Sequence, residues 1–231
     1  MIIDGQRARL EGDSRAELAE ACRRIIGELA SSTAEPVAFA GARDLVQQAV
    51  AILADSDHGR AYEGAEGSLA HYQEHMFIDH SPLVGPLNPL APPISIVADG
   101  TKVTAEVTFG AAYEGPPGCV HGGFIAASFD EVLGLAQGMS GRPGMTARLT
   151  IQYRSPTPLH QALRFVGDID HIDGRKIFTR GELRVAADDR LCAEAEGLFI
   201  SMNPEIFERL MTDRAERSAS GADAASGGQR A

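Results

Sequence analysis

Residues whose types and spacing could support acyl-transfer or hydrolytic chemistry lie in one segment, 119–137, which reads CVHGGFIAASFDEVLGLAQ. His121-Gly122-Gly123 opens an almost wholly apolar run, and the acid pair Asp130-Glu131 interrupts that run. A helix that is apolar all round is a buried helix, and a buried carboxylate carries a large desolvation cost unless other groups compensate it. The pattern therefore indicates a buried acid with a functional role.

The two glycines add a second chemical feature to the same helix. They leave backbone N–H groups at its positive end, where an anionic oxygen can bind. A buried acid and an oxyanion donor on one helix together predict acyl transfer or hydrolysis.

Helical patterns are predicted before this segment. Ser14-Arg15-Ala16-Glu17 matches a capping box, and apolar residues at helical spacing follow it. A second helical pattern runs over 43–54, and the polar, Gly-rich residues 55–70 indicate a loop. Five prolines within 82–93 exclude a regular interior element there.

The period of the pattern changes to two from Ile94, which is typical of strands with one packed and one solvated face. Strands are predicted over 103–109, 145–153, 163–169, 177–185 and 191–201. Asp173-Gly174 is a hairpin signal. In the second strand Met145, Ala147, Leu149, Ile151 and Tyr153 alternate with the polar set that contains Thr146 and Arg148.

These elements predict an α+β fold, in which an antiparallel sheet of about five strands buries one face against a helix at roughly 122–138. We expect residues 1–80 to form an N-terminal helical extension and loop, and 81–205 to form the sheet-and-helix domain. Residues 206–231 have a composition typical of a disordered tail.

Composition limits the possible partners. The net charge is −11 and no Lys/Arg cluster stands out, which argues against nucleic acid and against an anionic membrane surface. The longest apolar stretches are expected to fall short of a membrane span. The cysteines, Cys22, Cys119 and Cys192, fit neither a disulfide scaffold nor a zinc site, and no secretory signal is visible, so we expect a cytoplasmic protein.

Two motifs, GPPGCVHGGFIAASFDEVLG at 115–134 and GMTARLTIQYRSPTPL at 144–159, resemble those of the hotdog-fold acyl-CoA thioesterases. The closer resemblance is to the branch with the phenylacetic-acid-pathway and carboxy-terminal-modulator-like thioesterases, and it covers roughly 82–202. It implies a hotdog fold, in which an antiparallel sheet wraps around a central apolar helix. It also implies hydrolysis of an acyl-CoA substrate and a homodimer, with a tetramer as the alternative, and neither cofactor nor metal.

The resemblance also implies roles for individual residues. Asp130 is the nucleophile or general base, the Gly123 N–H binds the thioester oxygen, and Thr146 helps to hold the attacking water. The implied catalytic set is Asp130, Gly123, Thr146 and His121, and the implied substrate-binding set is Gly122, Tyr153, Arg154, Ser155 and Pro156. Some relatives carry an Asn or Gln six residues before the histidine, where this chain has Gly115.

The spacing of Gly123 and Asp130 predicts an oligomer. Residues seven apart on a helix lie on nearly the same face but about 10 Å apart along the axis. One carbonyl cannot contact both, since oxyanion donors must lie near 3 Å from the oxygen. Two antiparallel copies of the helix about a two-fold axis would bring Gly123 of one near Asp130 of the other, so the chemistry should need a dimer.

Structural roles compete with these catalytic ones. Asp130 could pair with an arginine such as Arg148, and Glu131, about 100° away on the helix, is expected to face solvent or an interface. His121 precedes the helix, so we expect it to position the loop through a backbone hydrogen bond. Gly122 and Gly123 could serve close packing alone.

A histidine segment offers a different chemistry. His71-Tyr72-Gln73-Glu74-His75 matches the H-x-x-E-H pattern of inverted zinc peptidases, but no strong third acidic ligand is evident on a later helix. We therefore expect this segment, with His80, to form a helix or lid beside the active site.

Two further hypotheses stay open from the sequence. The protein could bind acyl-CoA without hydrolysing it, as a regulator or carrier partner. A hotdog dehydratase would need a histidine within the helix, and His121 precedes it. An acidic surface repels an acidic carrier protein, which favours CoA as the acyl carrier.

Overall fold

The computed structural model of the protein describes residues 10–55, 79, 81–142, 144–201, 209 and 212. Its elements, in chain order, are α1 (Ser14–Ser31), α2 (Pro36–Ala54), β1 (Ser95–Asp99), β2 (Lys102–Thr108), a 3-10 helix (Ala111–Tyr113), α3 (Gly122–Gly138), β3 (Gly144–Tyr153), β4 (Ala162–Asp173), β5 (Lys176–Val185) and β6 (Leu191–Ser201). The predictions for the segment 71–75, for His80 and for most of the tail 206–231 fall outside the described residues.

The chain divides into two compact units. One holds the described residues of 1–31 and 66–202, and the other holds those of 32–65 and 203–231. The sheet, α1 and α3 belong to the first unit, and α2 belongs to the second. The domain limits expected from the sequence stay predictions.

The strands form one sheet in the order β1-β2-β4-β5-β6-β3, and every neighbouring pair is antiparallel. The sheet has six strands where the sequence pattern predicted about five. The additional strand is β1, which turns into β2 through Gly100 at φ +60°. The predicted hairpin at Asp173-Gly174 is confirmed, since β4 ends at Asp173 and β5 begins at Lys176.

Helix α3 packs against β2, β3, β4, β5 and β6. Glycines on the inner face of the sheet allow this close approach. A Cβ on Gly167 would lie 2.8 Å from Val132 Cγ1, and one on Gly181 would lie 3.1 Å from Leu133 Cδ2. An antiparallel sheet around a central apolar helix is the α+β architecture that the sequence predicted.

Aromatic and aliphatic side chains fill the space between α3 and the sheet. Phe129, Val132 and Leu133 of the helix are fully buried, as are Phe165 and Leu183 of the strands. The Phe129 and Phe165 rings meet edge to face, with their centroids 5.0 Å apart. Each such side chain contributes about 1.5–3 kcal/mol by leaving water, so this contact holds α3 firmly in place.

Helix α1 begins at Ser14, as predicted, but its capping residue differs. Asp13 precedes the helix, and its Oδ1 accepts a hydrogen bond from the Arg15 N–H at 2.8 Å. The neighbouring Arg15 guanidinium lowers the pKa of Asp13 to about 2. The capping box predicted at Ser14 was therefore one residue late.

Arg23 joins α1 to the proline segment, which we define as residues 81–94. Its guanidinium donates to the carbonyls of Pro86 at 3.2 Å and Asn88 at 3.0 Å. The segment contains turns and no helix or strand, as its prolines predicted. These bonds hold the segment beside the helix.

Helix α2 is longer than predicted, because it begins at Pro36 and not at Arg43. It has 19 residues, of which an 18-residue window has a mean hydropathy of 1.3 with none of it buried, so by length and composition alone it could cross a membrane. The expectation that every apolar stretch falls short of that length was wrong, since the apolar residues 36–42 extend the helix.

Candidate active site

The start of α3 is capped by a histidine side chain. His121 lies just before the helix in an extended conformation, and its Nδ1 accepts a hydrogen bond from the Gly123 N–H at 3.0 Å. The predicted backbone hydrogen bond of His121 is present. The proposed oxyanion donor thus has an acceptor within its own turn.

Gly115 packs directly against this histidine. A Cβ at position 115 would lie 2.8 Å from His121 Cα, closer than side chains tolerate. The Gly115 N–H also donates to the Cys119 carbonyl at 2.9 Å, which closes the turn. The Asn or Gln that some relatives carry here could not be accommodated without a shift of the backbone.

Helix α3 presents two covered faces and one open face. The first packs on the sheet, and the second lies under the proline segment and the 3-10 helix, where Phe124 meets the Tyr113 ring at 4.9 Å. Gly123, Asp130 and Gly134 lie on the third face, where Gly123 is exposed and the other two are partly exposed. We call this third face the open face of α3. Within one chain this face of α3 stays uncovered, whereas the sequence pattern predicted burial all round.

Asp130 and Thr146 meet at the open face. The Thr146 hydroxyl donates to Asp130 Oδ1 at 2.9 Å, so the two residues that the resemblance placed in one site are in contact. Among the described residues Asp130 forms no ion pair with Arg148 or any other cation. Within the described part of the chain the carboxylate therefore has a hydroxyl partner and no ion-pair partner.

A β-bulge in β3 aims Thr146 at Asp130. The register with β6 shifts between Thr146 and Arg148, so that Thr146 pairs with Phe199 and Arg148 pairs with Leu198. The extra residue moves Thr146 onto the face of the sheet that carries α3, together with Tyr153. The alternation predicted from the sequence, which put these two residues on opposite faces, was wrong.

The buried Gln137 fixes the start of β3. Its Oε1 accepts a hydrogen bond from the Gly144 N–H at 3.2 Å, and its Nε2 donates to the Arg142 carbonyl. The end of α3 is thereby tied to the strand that carries Thr146. The sequence analysis missed this residue, because an amide near a helix end gives no signal of its partner.

Tyr153, at the other end of β3, reaches the start of α3. Its hydroxyl donates to the Gly122 carbonyl at 2.8 Å. The next residue, Arg154, pairs with Glu194 and lines a polar groove of about 1120 Å³ with outward-facing strand residues. Tyr153 and Arg154 thus lie on opposite faces of the sheet.

Ser155 and Pro156 contact the connection between β5 and β6 at residues 190–191, and not α3. The Ser155 hydroxyl donates to the Leu191 carbonyl at 2.7 Å, and Arg190 donates to the Pro156 carbonyl at 2.9 Å. Of the predicted substrate-binding residues, the structure brings Gly122 and Tyr153 together and places Arg154, Ser155 and Pro156 elsewhere.

Glu131 has a different environment from Asp130. It is partly buried against the proline segment, where the Ser81 hydroxyl donates to its Oε1 at 2.8 Å. Burial raises the pKa of Glu131, the Ser81 hydrogen bond opposes that rise, and the nearby Asp130 charge adds to it. Of the two surroundings expected for Glu131, solvent or an interface, the first was wrong, because a segment 50 positions earlier covers it.

The described residues hold no group of three or more His, Cys, Asp or Glu that could bind a metal ion. His71, Glu74 and His75 lie outside the described residues, so the zinc alternative is not addressed by them.

Comparisons with known proteins agree with this geometry. The profile of the thioesterase superfamily matches residues 117–195. A crystal structure of a thioesterase superfamily protein is 33% identical and covers 82% of this chain and 96% of that chain, with a TM-score of 0.67. The chain therefore belongs to the thioesterase superfamily, and the predicted hotdog fold and family resemblance are confirmed.

Curated relatives match a smaller part of the chain. The acyl-coenzyme A thioesterase THEM4 of Xenopus laevis is 40% identical over 91 residues, which are 39% of this chain and 41% of that protein. The THEM4 of Bos taurus is 37% identical over 92 residues, 40% of this chain and 38% of that protein. The match thus spans about two fifths of the length of these relatives.

Proposed function

We propose that this protein hydrolyses an acyl-CoA thioester to the free acid and CoA. The observation that carries the proposal is the contact between Asp130 and the Thr146 hydroxyl on the open face of α3. A water molecule and the carbonyl carbon of a substrate can both approach a partly exposed carboxylate that lies beside a hydroxyl. The THEM4 relatives, named as acyl-coenzyme A thioesterases, support the substrate class.

The site is formed between two copies of the chain. Gly123 and Asp130 are seven residues apart on α3, about 10 Å along the axis, so they cannot contact one carbonyl from the same subunit. The open face of α3 lies next to β3, which is an edge strand with unpaired backbone groups. A second copy related by a two-fold axis would cover both, and a tetramer would need a further contact.

The reaction then has two parts. The thioester oxygen binds the N–H of Gly123 of the partner subunit, which stabilises the negative charge that develops on that oxygen. Asp130 either takes a proton from a water that attacks the carbonyl carbon, or attacks that carbon itself to form an anhydride that water then cleaves. In both routes the C–S bond breaks and CoA leaves as a thiolate, which needs no strong acid. No cofactor takes part.

One observation favours a second function, binding of acyl-CoA without hydrolysis. The Gly123 N–H already donates to His121 Nδ1, and Gly115 replaces the amide side chain of some relatives. A thioester oxygen must displace the imidazole to use this donor. If the imidazole stays in place, the protein would bind its ligand and lack an oxyanion site.

Thiol release from short, long and aromatic acyl-CoAs, measured for the wild type beside Asp130→Asn, tests the proposal. We expect the wild type to hydrolyse one class and the folded variant to lose most of that activity. Binding of acyl-CoA without turnover by the wild type would overturn hydrolysis in favour of the binding function. Activity that is lost only on chelation would point instead to the histidine segment.

The partners and location follow as further proposals. The net charge of −11 favours CoA over an acidic carrier protein as the acyl carrier, and it argues against nucleic acid and an anionic membrane surface. A cytoplasmic location remains our proposal.

A further inference from the structure

The peptide group between Gly122 and Gly123 is held at both of its ends. Its carbonyl oxygen, on Gly122, accepts a hydrogen bond from the Tyr153 hydroxyl at 2.8 Å. Its N–H, on Gly123, donates to His121 Nδ1 at 3.0 Å. Because a peptide group is planar, a contact that orients the carbonyl also orients the N–H.

Tyr153 is well placed to act on this peptide. It is the last residue of β3 and pairs with Ala193 of β6, so its backbone is fixed by the sheet. A Cβ on Gly122 would lie 3.2 Å from the Tyr153 hydroxyl oxygen, which shows how closely the phenol approaches this backbone. The absence of a side chain at position 122 makes room for the hydrogen bond.

A hydrogen bond to the carbonyl also changes the N–H. Donation to the oxygen draws electron density away from nitrogen, and hydrogen bonds in a chain strengthen one another by about 10–30% each. The Gly123 N–H thereby becomes a stronger donor. This effect is largest when its acceptor is an oxyanion, which carries more negative charge than a thioester carbonyl.

We propose that Tyr153 is a positioning residue for the reaction, whose hydroxyl orients and polarises the Gly122–Gly123 peptide for binding of the thioester oxyanion. The proposal rests on the function proposed above, in which the Gly123 N–H binds that oxygen. It gives Tyr153 a role other than the substrate binding that the family resemblance implied. Tyr153 acts through the peptide and does not touch the reacting atoms.

Tyr153→Phe tests this role, because it removes one hydroxyl and keeps the ring. Complete loss of an oxyanion donor costs about 100- to 1000-fold in kcat, so loss of the group behind the donor should cost about tenfold. We expect KM to change less than about twofold, since the hydrogen bond strengthens mainly with the charge of the transition state.

Tyr113→Phe is the matched control. Tyr113 also lies near the start of α3, where its ring packs against Phe124. The charges of Arg23 and Glu20 act on its hydroxyl. We expect this variant to keep the wild-type kcat. An equal fall of kcat in both variants would overturn the proposal, as would an unchanged kcat in Tyr153→Phe. A raised KM with unchanged kcat would overturn it in favour of direct substrate binding.

A second readout does not depend on turnover. In protein labelled with [15N]glycine, the Gly123 amide resonance can be assigned by its loss in Gly123→Ala. We expect this resonance to shift in Tyr153→Phe and to stay in place in Tyr113→Phe. If the wild type hydrolyses no thioester, the proposed function fails, while the amide shift still decides whether Tyr153 acts on the peptide. An unshifted Gly123 amide overturns the inference whether or not the enzyme is active.

Discussion

Asp130 and Glu131 are adjacent in the chain, yet they lie in two unlike regions of the molecule. Asp130 projects onto the open face of α3, where its partner is a hydroxyl of the edge strand β3. Glu131 projects under the proline segment, where its partner is the Ser81 hydroxyl and burial raises its pKa. The elements that pack on each face of a uniformly apolar helix therefore decide which acid can reach a substrate.

The two acids also differ in how they could be reached. Successive residues on a helix point about 100° apart, so one acid can be covered while the other stays open. Glu131 lies under the proline segment with the Ser81 hydroxyl, where burial raises its pKa, whereas Asp130 meets the Thr146 hydroxyl on the open face. The raised pKa therefore belongs to the covered acid, and the contact with Thr146 distinguishes the acid that we propose to react.

Neutralising each acid in turn is the most direct test of the difference between Asp130 and Glu131. We expect Asp130→Asn to lower kcat by at least about 100-fold, because it removes the base or nucleophile. The matched variant Glu131→Gln should stay within about threefold of the wild type, since it keeps the shape and the Ser81 contact. Steady-state thiol release measures both, and a larger loss in Glu131→Gln would contradict the assignment.

A smaller effect is expected at the partner of Asp130. Thr146→Val removes the hydroxyl that donates to Asp130 Oδ1, and we expect a fall of about tenfold in kcat from the loss of one hydrogen bond to a charged group. Thr146→Ser keeps a hydroxyl and should recover most of the rate. Equal rates for the valine and serine variants would show that the hydroxyl has no part in the reaction.

On the covered face the expected effect is on stability. The Ser81 hydroxyl donates to Glu131 and accepts from the N–H groups of Leu83 and Val84 at 3.2 and 3.3 Å. Ser81→Ala should lower the free energy of unfolding by about 1–2 kcal/mol, while Ser81→Thr retains the hydroxyl. Urea unfolding measures the difference, and a stability equal to the wild type in the alanine variant would contradict the role of this contact.

The smallest effect is a pH dependence of stability. Because the pKa of Glu131 is raised in the folded protein, the folded state holds the proton more tightly than the unfolded state. This contribution is complete below the ordinary value of 4.5 and is lost as the pH rises through the folded pKa. Relative to Glu131→Gln, the wild type should therefore lose stability as the pH rises above 4.5 and through the folded pKa. Urea unfolding across that range should show the trend, and a constant difference would contradict it.

Much of the structure around Asp130 and Glu131 could be predicted from local sequence signals. The Gly-Gly start of α3 and the Ser140-Gly141 stop lie next to the residues they affect, so the predicted limits 122–138 match the helix found. The motif around it led to Gly123 and Asp130 and the following motif to Thr146, and Asp130 and Thr146 are in contact. The antiparallel sheet followed from the period of two.

The rest depends on contacts between distant positions. The bulge that turns Thr146 toward Asp130 is a property of the register with β6, and a strict alternation hides it. Ser81 covers Glu131 from 50 positions away in the chain, so no local sequence signal indicates the contact. The strand β1 was missed because the turn at Asp99-Gly100 was not read as a hairpin.

The central claim, that one site takes Gly123 from one subunit and Asp130 from the other, can be tested by mixing two inactive variants. Gly123→Pro removes the N–H in the first turn of α3, where no hydrogen bond within the helix is lost, and Asp130→Asn removes the acid. Random mixing makes half of the dimers heterodimers, each with one intact site, so about a quarter of the wild-type activity should return. If both residues of a site belonged to one subunit, every site in the mixture would carry a defect. Mixed dimers without activity would contradict the account.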